Sequence, residues 1–197
     1  MKIIGLTGGI GMGKSTASTC FRRHRVPIFD ADQAVHELQA PGGRAVRPIE
    51  AALPGTTQGG AVDREALRRA VLGNPTALKQ LEHIVHPLVR DAEKRFLAAA
   101  RRAGKSLVVL DVPLLLETGG EKRVDLVVVV SAPASVQAAR VMRRPGMTRE
   151  RLAAIRARQM PDAAKRRRAD VVIHTGLSRH FAVMALRRLL RRLRNTP

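Results

Sequence analysis

Short and almost wholly apolar runs alternate along the chain with longer segments in which apolar residues recur every three or four positions. Runs without polar positions are typical of strands buried on both faces of a parallel sheet, and the segments between them have the period of helices. This alternation predicts an α/β fold whose sheet is covered on both faces. The predicted strands are Lys2–Thr7, Val26–Asp30, a run from Ser106 that ends at Asp111, Asp125–Val130 and Ala169–Gly176.

Helical segments fill the intervals between these strands. One is predicted over Ser15–His24, and another begins at DADQ, whose acidic residues suit the positive end of a helix dipole. The region from Arg44 to Ala103 is helical in pattern, with breaks at PGTTQGG and Pro87 and an N-cap at Asp63. A basic amphipathic helix is predicted over Ser178–Arg194.

Length and composition limit the number of domains, the type of core and the class of ligand. The 197 residues suit one domain. Hydrophobic residues make up 45% of the chain and aromatic residues only 2%, which predicts an aliphatic core. The formal net charge is +20, which fits a solvated arginine-rich surface, an anionic ligand or nucleic acid, and charge alone does not separate these.

The cysteine count and the apolar runs set two further limits. Cys20 is the only cysteine, which excludes an intrachain disulfide framework, and its place on an apolar helix face favours packing over reactivity. No apolar stretch approaches the roughly 20 residues of a membrane span, and the chain opens on a strand rather than a secretion signal. We therefore expect a cytoplasmic protein.

The glycine-rich stretch GLTGGIGMGKST follows the first predicted strand and opens the first predicted helix. Its spacing Gly8-x-x-x-x-Gly13-Lys14-Ser15 is that of a P-loop. Glycines let successive backbone N–H groups face one concavity at a helix N-terminus, which favours polyanions. Lys14 can reach the β- and γ-phosphates and the Ser15 hydroxyl can ligate Mg²⁺, so the loop predicts binding of ATP with Mg²⁺.

P-loop proteins divide into several classes, and the sequence favours a small-molecule kinase. No base-reading NKxD segment of a GTPase is found, and the chain is short for a motor ATPase. A kinase needs a second site that orients an acceptor hydroxyl. Asp30 and Asp32 follow the second predicted strand, where ligands bind in parallel sheets, and could bind Mg²⁺, accept a hydroxyl proton or cap the next helix.

Three further groups are candidates for the site. Asp111 ends a buried strand and suits Mg²⁺ bound through water. His86-Pro87 with Arg90 lies in a helical segment, where the pattern alone favours a packing or surface role for the histidine. Arginines at positions 140, 143 and 144 precede Pro145-Gly146, a pattern that suits either a lid over phosphates or a solvated basic face.

Seven segments in order resemble the dephospho-CoA kinase family: GLTGGIGMGKST, DAD, VDREAL, LEHIVHPLV, VPLLLE, the stretch from Arg140 through RPGMT to ARQMP, and ADVVIHTG. The resemblance covers nearly the whole chain. It implies that ATP phosphorylates the ribose 3′-hydroxyl of dephospho-CoA, giving coenzyme A and ADP in the last step of coenzyme A biosynthesis. It also implies a three-layer P-loop NTPase core with a five-stranded parallel sheet (1–40 and 104–197), a helical substrate domain (41–103) and a lid (about 140–165).

The resemblance also implies residue roles. The expected catalytic residues are Asp32, which would act as the general base, and Lys14. The expected ATP ligands are Gly11, Met12, Gly13, Lys14, Ser15, Thr16, Arg140 and Arg144. The expected substrate contacts are Thr7, Asp32, His86, Arg90, Leu114, Leu115 and Glu117, with Pro87 beside them in the substrate domain. Ser15 and Asp111 are the expected metal ligands.

Two positions depart from the family pattern: Leu116, where phenylalanine is frequent, and His174-Thr175, where Asp or Asn is frequent near the adenine. The alternatives are a nucleoside or nucleotide kinase of the same fold and a basic P-loop protein that binds nucleic acid. The closing helix could cover the sheet, which we favour, or contact nucleic acid or a membrane surface. We expect a monomer with neither a nucleic-acid nor a membrane partner.

Overall fold

The computed structural model describes residues 1–195 and contains a five-stranded sheet. The strands in chain order are β1 (Lys2–Thr7), β2 (Ile28–Asp30), β3 (Thr57–Gln58), β4 (Ala61–Val62), β5 (Leu107–Asp111), β6 (Leu126–Ser131) and β7 (Val171–His174). The sheet has the order β2-β5-β1-β6-β7, and β1 pairs in parallel with both β5 and β6. The five predicted strands are confirmed.

The central strands are apolar because both faces of the sheet are covered. Ile4 and Leu6 of β1 are fully buried, and so are most residues of β5 and β6 beside them. The connection from β1 leads to β2 on one side of it, whereas the later connection from β5 leads to β6 on its other side, so the direction of the crossovers changes at β1. Such a switch point at the carboxyl end of a strand is where ligands bind in open α/β sheets, and the glycine-rich loop follows β1 directly.

Nine helices and one 3₁₀ turn (Gly120–Arg123) join the strands within residues 1–195. The helices are α1 (Lys14–Arg23), α2 (Ala31–Gln39), α3 (Val46–Ala52), α4 (Arg64–Val71), α5 (Pro75–Arg102), α6 (Ala134–Met142), α7 (Arg149–Arg158), α8 (Asp162–Arg167) and α9 (Arg179–Asn195). Asp63 caps α4 as predicted, since its carboxylate accepts hydrogen bonds from the N–H groups of Glu65 and Ala66 at 2.9 and 3.1 Å.

The structure differs from the sequence pattern at two places. The predicted break at Pro87 is wrong, because the 28-residue helix α5 runs through this proline without interruption. Apolar residues on both sides of it, such as Val85 and Val89, pack in one core. The predicted break at PGTTQGG contains β3 and the turn of the β3–β4 hairpin, and β4 follows it directly. Gly59 and Gly60 form its turn with φ of 60° and 76°. Glycine adopts this left-handed conformation without strain.

The chain forms two compact units. One comprises residues 1–29 and the chain from residue 100 onward, and the other comprises residues 30–99. Helix α2 belongs to the second unit, where Leu38 and Val35 pack with Ile49, although the resemblance grouped it with the core. That residues 41–103 act as a substrate domain and residues from about 140 to 165 as a lid stays a prediction.

Helix α9 covers one face of the sheet, as favoured from the sequence. Its buried side chains, Ala182, Leu186, Leu189 and Leu190, pack in one core with residues of α1 and the strands. Cys20 lies buried in the same core, and burial raises the pKa of its thiol, which agrees with a packing role. Within residues 1–195, no helix is both long enough and apolar enough to cross a bilayer.

The two units differ in charge. Residues 30–99 contain nine Lys and Arg and nine Asp and Glu, which leaves 27 basic and seven acidic residues in the other unit. The whole net charge of +20 therefore belongs to the unit that carries the glycine-rich loop. No acidic residue follows Asp170, so every formally charged side chain of α9 is basic.

Candidate active site

The loop between β1 and α1 has a backbone that only glycine can form at two of its positions. Gly13 is the N-cap of α1 and has φ of 94°, in the left-handed region. At Gly8, a Cβ atom would lie 2.4 Å from Val130 Cγ2 and 2.7 Å from the Val130 carbonyl oxygen. The loop can thus wrap tightly against β6 and present its backbone N–H groups at the start of α1. Lys14 and Ser15 lie in the first turn of that helix, so their backbone N–H groups have no acceptor within the helix.

Three successive carbonyl groups of this loop accept hydrogen bonds from side chains elsewhere in the same unit. The pairs are Gln137 with Ile10 (2.8 Å), Arg140 with Gly11 (3.4 Å) and Thr175 with Met12 (2.7 Å). In a trans peptide the carbonyl and the following N–H point in opposite directions. Drawing the carbonyls of Ile10 and Met12 outward therefore turns the N–H groups of Gly11 and Gly13 toward the inside of the loop, whereas the Met12 N–H donates to the Gly9 carbonyl at 3.2 Å.

Lys14 ends beside the carboxylate of Asp111, with 2.6 Å between Nζ and Oδ1. The second oxygen of Asp111 accepts a hydrogen bond from the Ser18 hydroxyl, also at 2.6 Å. The Asp111 side chain is only 3% exposed, whereas that of Lys14 is 20% exposed, so the lysine is the accessible member of the pair. Asp111 thus ends β5 where the sequence predicted it, next to the loop.

A second buried group holds the turn after β5. The Lys165 side chain, 1% exposed, pairs with Glu117 at 2.8 Å and donates to the Pro113 carbonyl at 3.2 Å. The Thr7 hydroxyl donates to the same carbonyl at 2.9 Å, and Glu117 also accepts from the Met160 N–H at 2.8 Å. Thr7 and Glu117, expected as substrate contacts, are thereby engaged with the protein, and their substrate roles stay predictions.

The Glu117→Gln variant is expected to lower the free energy of unfolding by about 3 kcal/mol, because it leaves the Lys165 charge buried without a counter-ion. Chemical denaturation measures the change. The matched control is Glu65→Gln, which opens the exposed pair with Arg68 (3.0 Å). That control should cost less than about 1 kcal/mol. Equal costs for the two variants would contradict a structural role for Glu117, whereas the Glu117→Gln/Lys165→Met double variant should recover stability.

The other site residues in this unit vary in exposure. Leu114 is 40% exposed and could meet a ligand with its side chain, whereas Leu115 is fully buried. The Arg140 guanidinium donates hydrogen bonds to the carbonyl oxygen (2.6 Å) and the hydroxyl (3.0 Å) of Thr175. Arg144 is exposed beyond the end of α6. Arg140 is therefore at the loop, and its contact with phosphate stays a prediction.

A cavity of about 800 Å³ opens beside the loop at the carboxyl ends of β6 and β7. Its walls combine apolar side chains with a few polar and charged ones. The polar members are Ser131, Gln137, Arg156, Gln159, Asp162, Arg166 and His174. His174, one of the departures from the family pattern, thus lines a cavity next to Gly9 of the loop.

The second unit carries the remaining candidates. Asp30 caps α2, since its carboxylate accepts from the Gln33 N–H at 3.1 Å, and Asp32 lies in the exposed first turn of that helix. The capping role predicted for Asp30 is confirmed. His86 and Arg90 are exposed and lie one turn apart on α5, so they share one face of that helix.

The sequence assigned no role to four polar residues: Gln137, Arg156, Gln159 and Thr175. Gln159 and Thr175 lie in ARQMP and ADVVIHTG, two of the segments that carry the resemblance, Arg156 directly precedes the first of these, and Gln137 lies inside α6. Only the Thr175 position carried an indication, because the family pattern varies beside it. Gln159 and Gln137 contact Ile10 of the loop across 149 and 127 positions, and Arg156 contacts Gln137 in turn, so only the tertiary structure brings these residues together.

Comparison with known proteins identifies close relatives. A family model described as dephospho-CoA kinase matches residues 2–178. The chain is 64% identical over 166 residues to a dephospho-CoA kinase of Paramagnetospirillum magneticum, covering 84% of this chain and 78% of that protein. It is 55% identical over 175 residues to a dephospho-CoA kinase of Brucella melitensis, covering 89% and 86%.

Solved structures agree on the fold. A Thermus thermophilus crystal structure is 36% identical with a TM-score of 0.85, and the match covers 98% of this chain and 97% of that one. A dephospho-CoA kinase from Campylobacter jejuni is 23% identical with a TM-score of 0.72, covering 98% of both chains. At that identity the likeness shows the fold alone, as it does for a shikimate kinase from Acinetobacter baumannii (18%, TM-score 0.54, covering 100% and 95%).

Proposed function

Because the chain belongs to the dephospho-CoA kinase family, we propose that it transfers the γ-phosphate of ATP to the ribose 3′-hydroxyl of dephospho-CoA. The products are coenzyme A and ADP, and the reaction is the last step of coenzyme A biosynthesis. The observation that carries the proposal is the family match over residues 2–178 together with a complete P-loop between β1 and α1.

The P-loop binds the triphosphate through backbone N–H groups and Lys14. The N–H groups of Gly11 and Gly13 and those of the first turn of α1 supply donors, and the helix dipole adds partial positive charge. Lys14 is paired with Asp111 at 2.6 Å and is accessible enough to turn toward phosphate. Arg140 and Arg144 are proposed to stabilise the transferred phosphoryl group from the lid, as expected from the resemblance.

The metal donors fit Mg²⁺. The Ser15 hydroxyl is exposed in the first turn of α1 and is the direct ligand that a P-loop provides. Asp111 suits contact through water, because Lys14 and Ser18 already engage its two oxygens. No group of three or more His, Cys, Asp or Glu side chains that could hold a metal ion exists within residues 1–195, and phosphate oxygens and water would complete the shell of Mg²⁺. When bound, Mg²⁺ withdraws charge from the phosphates.

Asp32 is proposed as the general base for the acceptor hydroxyl. Its side chain is exposed in the first turn of α2, and an ionised carboxylate is the group type that can accept a hydroxyl proton. His86 and Arg90 provide an exposed basic face on α5 that suits the anionic groups of dephospho-CoA. We propose that the enzyme acts as a monomer, as expected from the sequence.

Acceptor selectivity tests this proposal. The enzyme is incubated with ATP, Mg²⁺ and, in separate reactions, dephospho-CoA, adenosine, AMP and shikimate, and ADP release is followed. We expect kcat/KM for dephospho-CoA to exceed that for each other acceptor by at least about 10²-fold, because binding of remote parts of the substrate contributes to transition-state stabilisation. Comparable values for a nucleoside or nucleotide would replace the proposal by the nucleoside kinase alternative.

The high charge does not require a nucleic-acid function. The basic residues of α9 lie on the side away from the core, and Arg187, Arg188 and Arg191 are exposed. The Arg187→Gln/Arg188→Gln/Arg191→Gln variant should keep kcat and KM within about twofold, since exposed surface changes cost little. Steady-state kinetics check this. Tight, salt-sensitive duplex binding that the variant abolishes would instead favour the nucleic-acid alternative.

A further inference from the structure

One residue of the phosphate-binding loop is held on both sides by glutamine side chains. The Ile10 N–H donates to Gln159 Oε1 at 3.1 Å, and the Ile10 carbonyl accepts from Gln137 Nε2 at 2.8 Å. Gln137 lies in α6, and Gln159 is the residue at which α7 ends. Two helices distant in sequence therefore fix the orientation of this loop residue.

The chemistry of Arg156 fixes which way the Gln137 amide faces. Gln137 Oε1 accepts from Arg156 Nε at 2.9 Å, and the same guanidinium donates a second hydrogen bond to it. A guanidinium only donates, so the amide must present its oxygen to Arg156 and its NH₂ group to Ile10. Gln137 is 5% exposed, so burial limits exchange with water as an alternative partner.

We propose that Gln137 is a positioning residue of the phosphate-binding loop and that Arg156 orients it. The Gln137 amide draws the Ile10 carbonyl outward, which turns the N–H of Gly11 in the opposite direction, toward bound phosphate. Gly11 has φ of 73°. This left-handed conformation is typical of such anion-binding loops. The inference rests on the proposed use of ATP, but not on the identity of the acceptor.

The Gln137→Met variant tests the role with a side chain of similar length that cannot form hydrogen bonds. We expect the affinity for ATP to fall by about tenfold, the upper range for losing one hydrogen bond. The affinity for AMP should change less than about twofold, because AMP lacks the β- and γ-phosphates that the loop holds. Competition against a fluorescent ATP analogue measures both, and Gln80→Met on the exposed side of α5 is the matched control.

The Arg156→Met variant provides a second test on an exposed residue, where folding is not at risk. It should lower ATP affinity by about threefold, again sparing AMP, because the Gln137 amide loses its fixed orientation. In the double variant the two losses should not multiply, since both act through one contact.

Two results would overturn the proposal. One is an equal loss of ATP and AMP affinity in both variants, and the other is unchanged ATP affinity accompanied only by a lower Tm, which is what a packing role predicts. If Gln137→Met does not fold, Arg156→Met decides the outcome. Because the binding assay contains no acceptor, an error in the proposed substrate would leave these results unaffected.

Discussion

Replacing Lys14 by alanine is expected to reduce phosphoryl transfer by at least about 10²–10³-fold, to near background, because the lysine charge neutralises the phosphate oxygens in the transition state. Steady-state assay with saturating ATP and dephospho-CoA measures the loss. The effect should appear in kcat more than in KM, since stabilisation of the transition state is what is lost.

The structure adds a consequence for stability. Lys14→Ala leaves Asp111, whose side chain is 3% exposed, with only the Ser18 hydroxyl at 2.6 Å as a donor. We expect the free energy of unfolding to fall by about 1–3 kcal/mol. The loss is smaller than for a fully buried pair because Lys14 is 20% exposed. The Lys14→Ala/Asp111→Asn double variant should regain stability without regaining activity.

These two measurements separate the roles of Lys14. Recovery of activity in the stabilised double variant would mean that the single variant failed through instability. Substantial turnover of Lys14→Ala itself would show that the lysine does not act on the transferred phosphate.

The second large effect is expected at Asp32. Asn keeps the size and hydrogen bonding of the side chain but removes its basicity, and general-base catalysis contributes about 10²–10⁴-fold. Asp32→Asn should therefore lower kcat by about that factor, with little change in ATP affinity. Rapid-quench measurement of a single turnover isolates the chemical step from product release.

Asp30→Asn is the matched control two positions away. Asp30 caps α2 through the Gln33 N–H at 3.1 Å, and asparagine is an equally good cap, so stability and kcat should change little. A dead Asp30 variant beside an active Asp32 variant would reverse the two roles. If both variants are active, the base lies elsewhere and Asp111 is the next candidate.

Local chemistry explains why much of the fold could be predicted. Strand β1 has the predicted bounds, Lys2–Thr7, because every residue from Ile3 onward is buried and the glycine-rich loop ends the strand. Asp63 caps α4 because cap preference is decided within one turn. Helix α7 was not predicted, since only Leu152 on it is buried and its arginine-rich surface gives little periodicity.

Contacts between distant residues explain what the sequence did not show. Glu117 is chemically suited to a substrate site, and only the tertiary structure pairs it with the buried Lys165, 48 positions away. The hydrogen bond from Gln137 to the Ile10 carbonyl joins residues 127 positions apart. The confinement of the net charge to one unit also depends on where the chain divides, at residues 29 and 100.

The identity of the phosphorylated product tests the central claim most directly. Dephospho-CoA, ATP and Mg²⁺ are incubated with the enzyme, and the product is analysed by mass spectrometry and by ¹H–³¹P correlation NMR. We expect one new phosphomonoester, coupled to the proton on the ribose 3′ carbon, formed in a one-to-one ratio with ADP and absent with Lys14→Ala. Release of ADP with unchanged dephospho-CoA, or phosphate at another position, would contradict it.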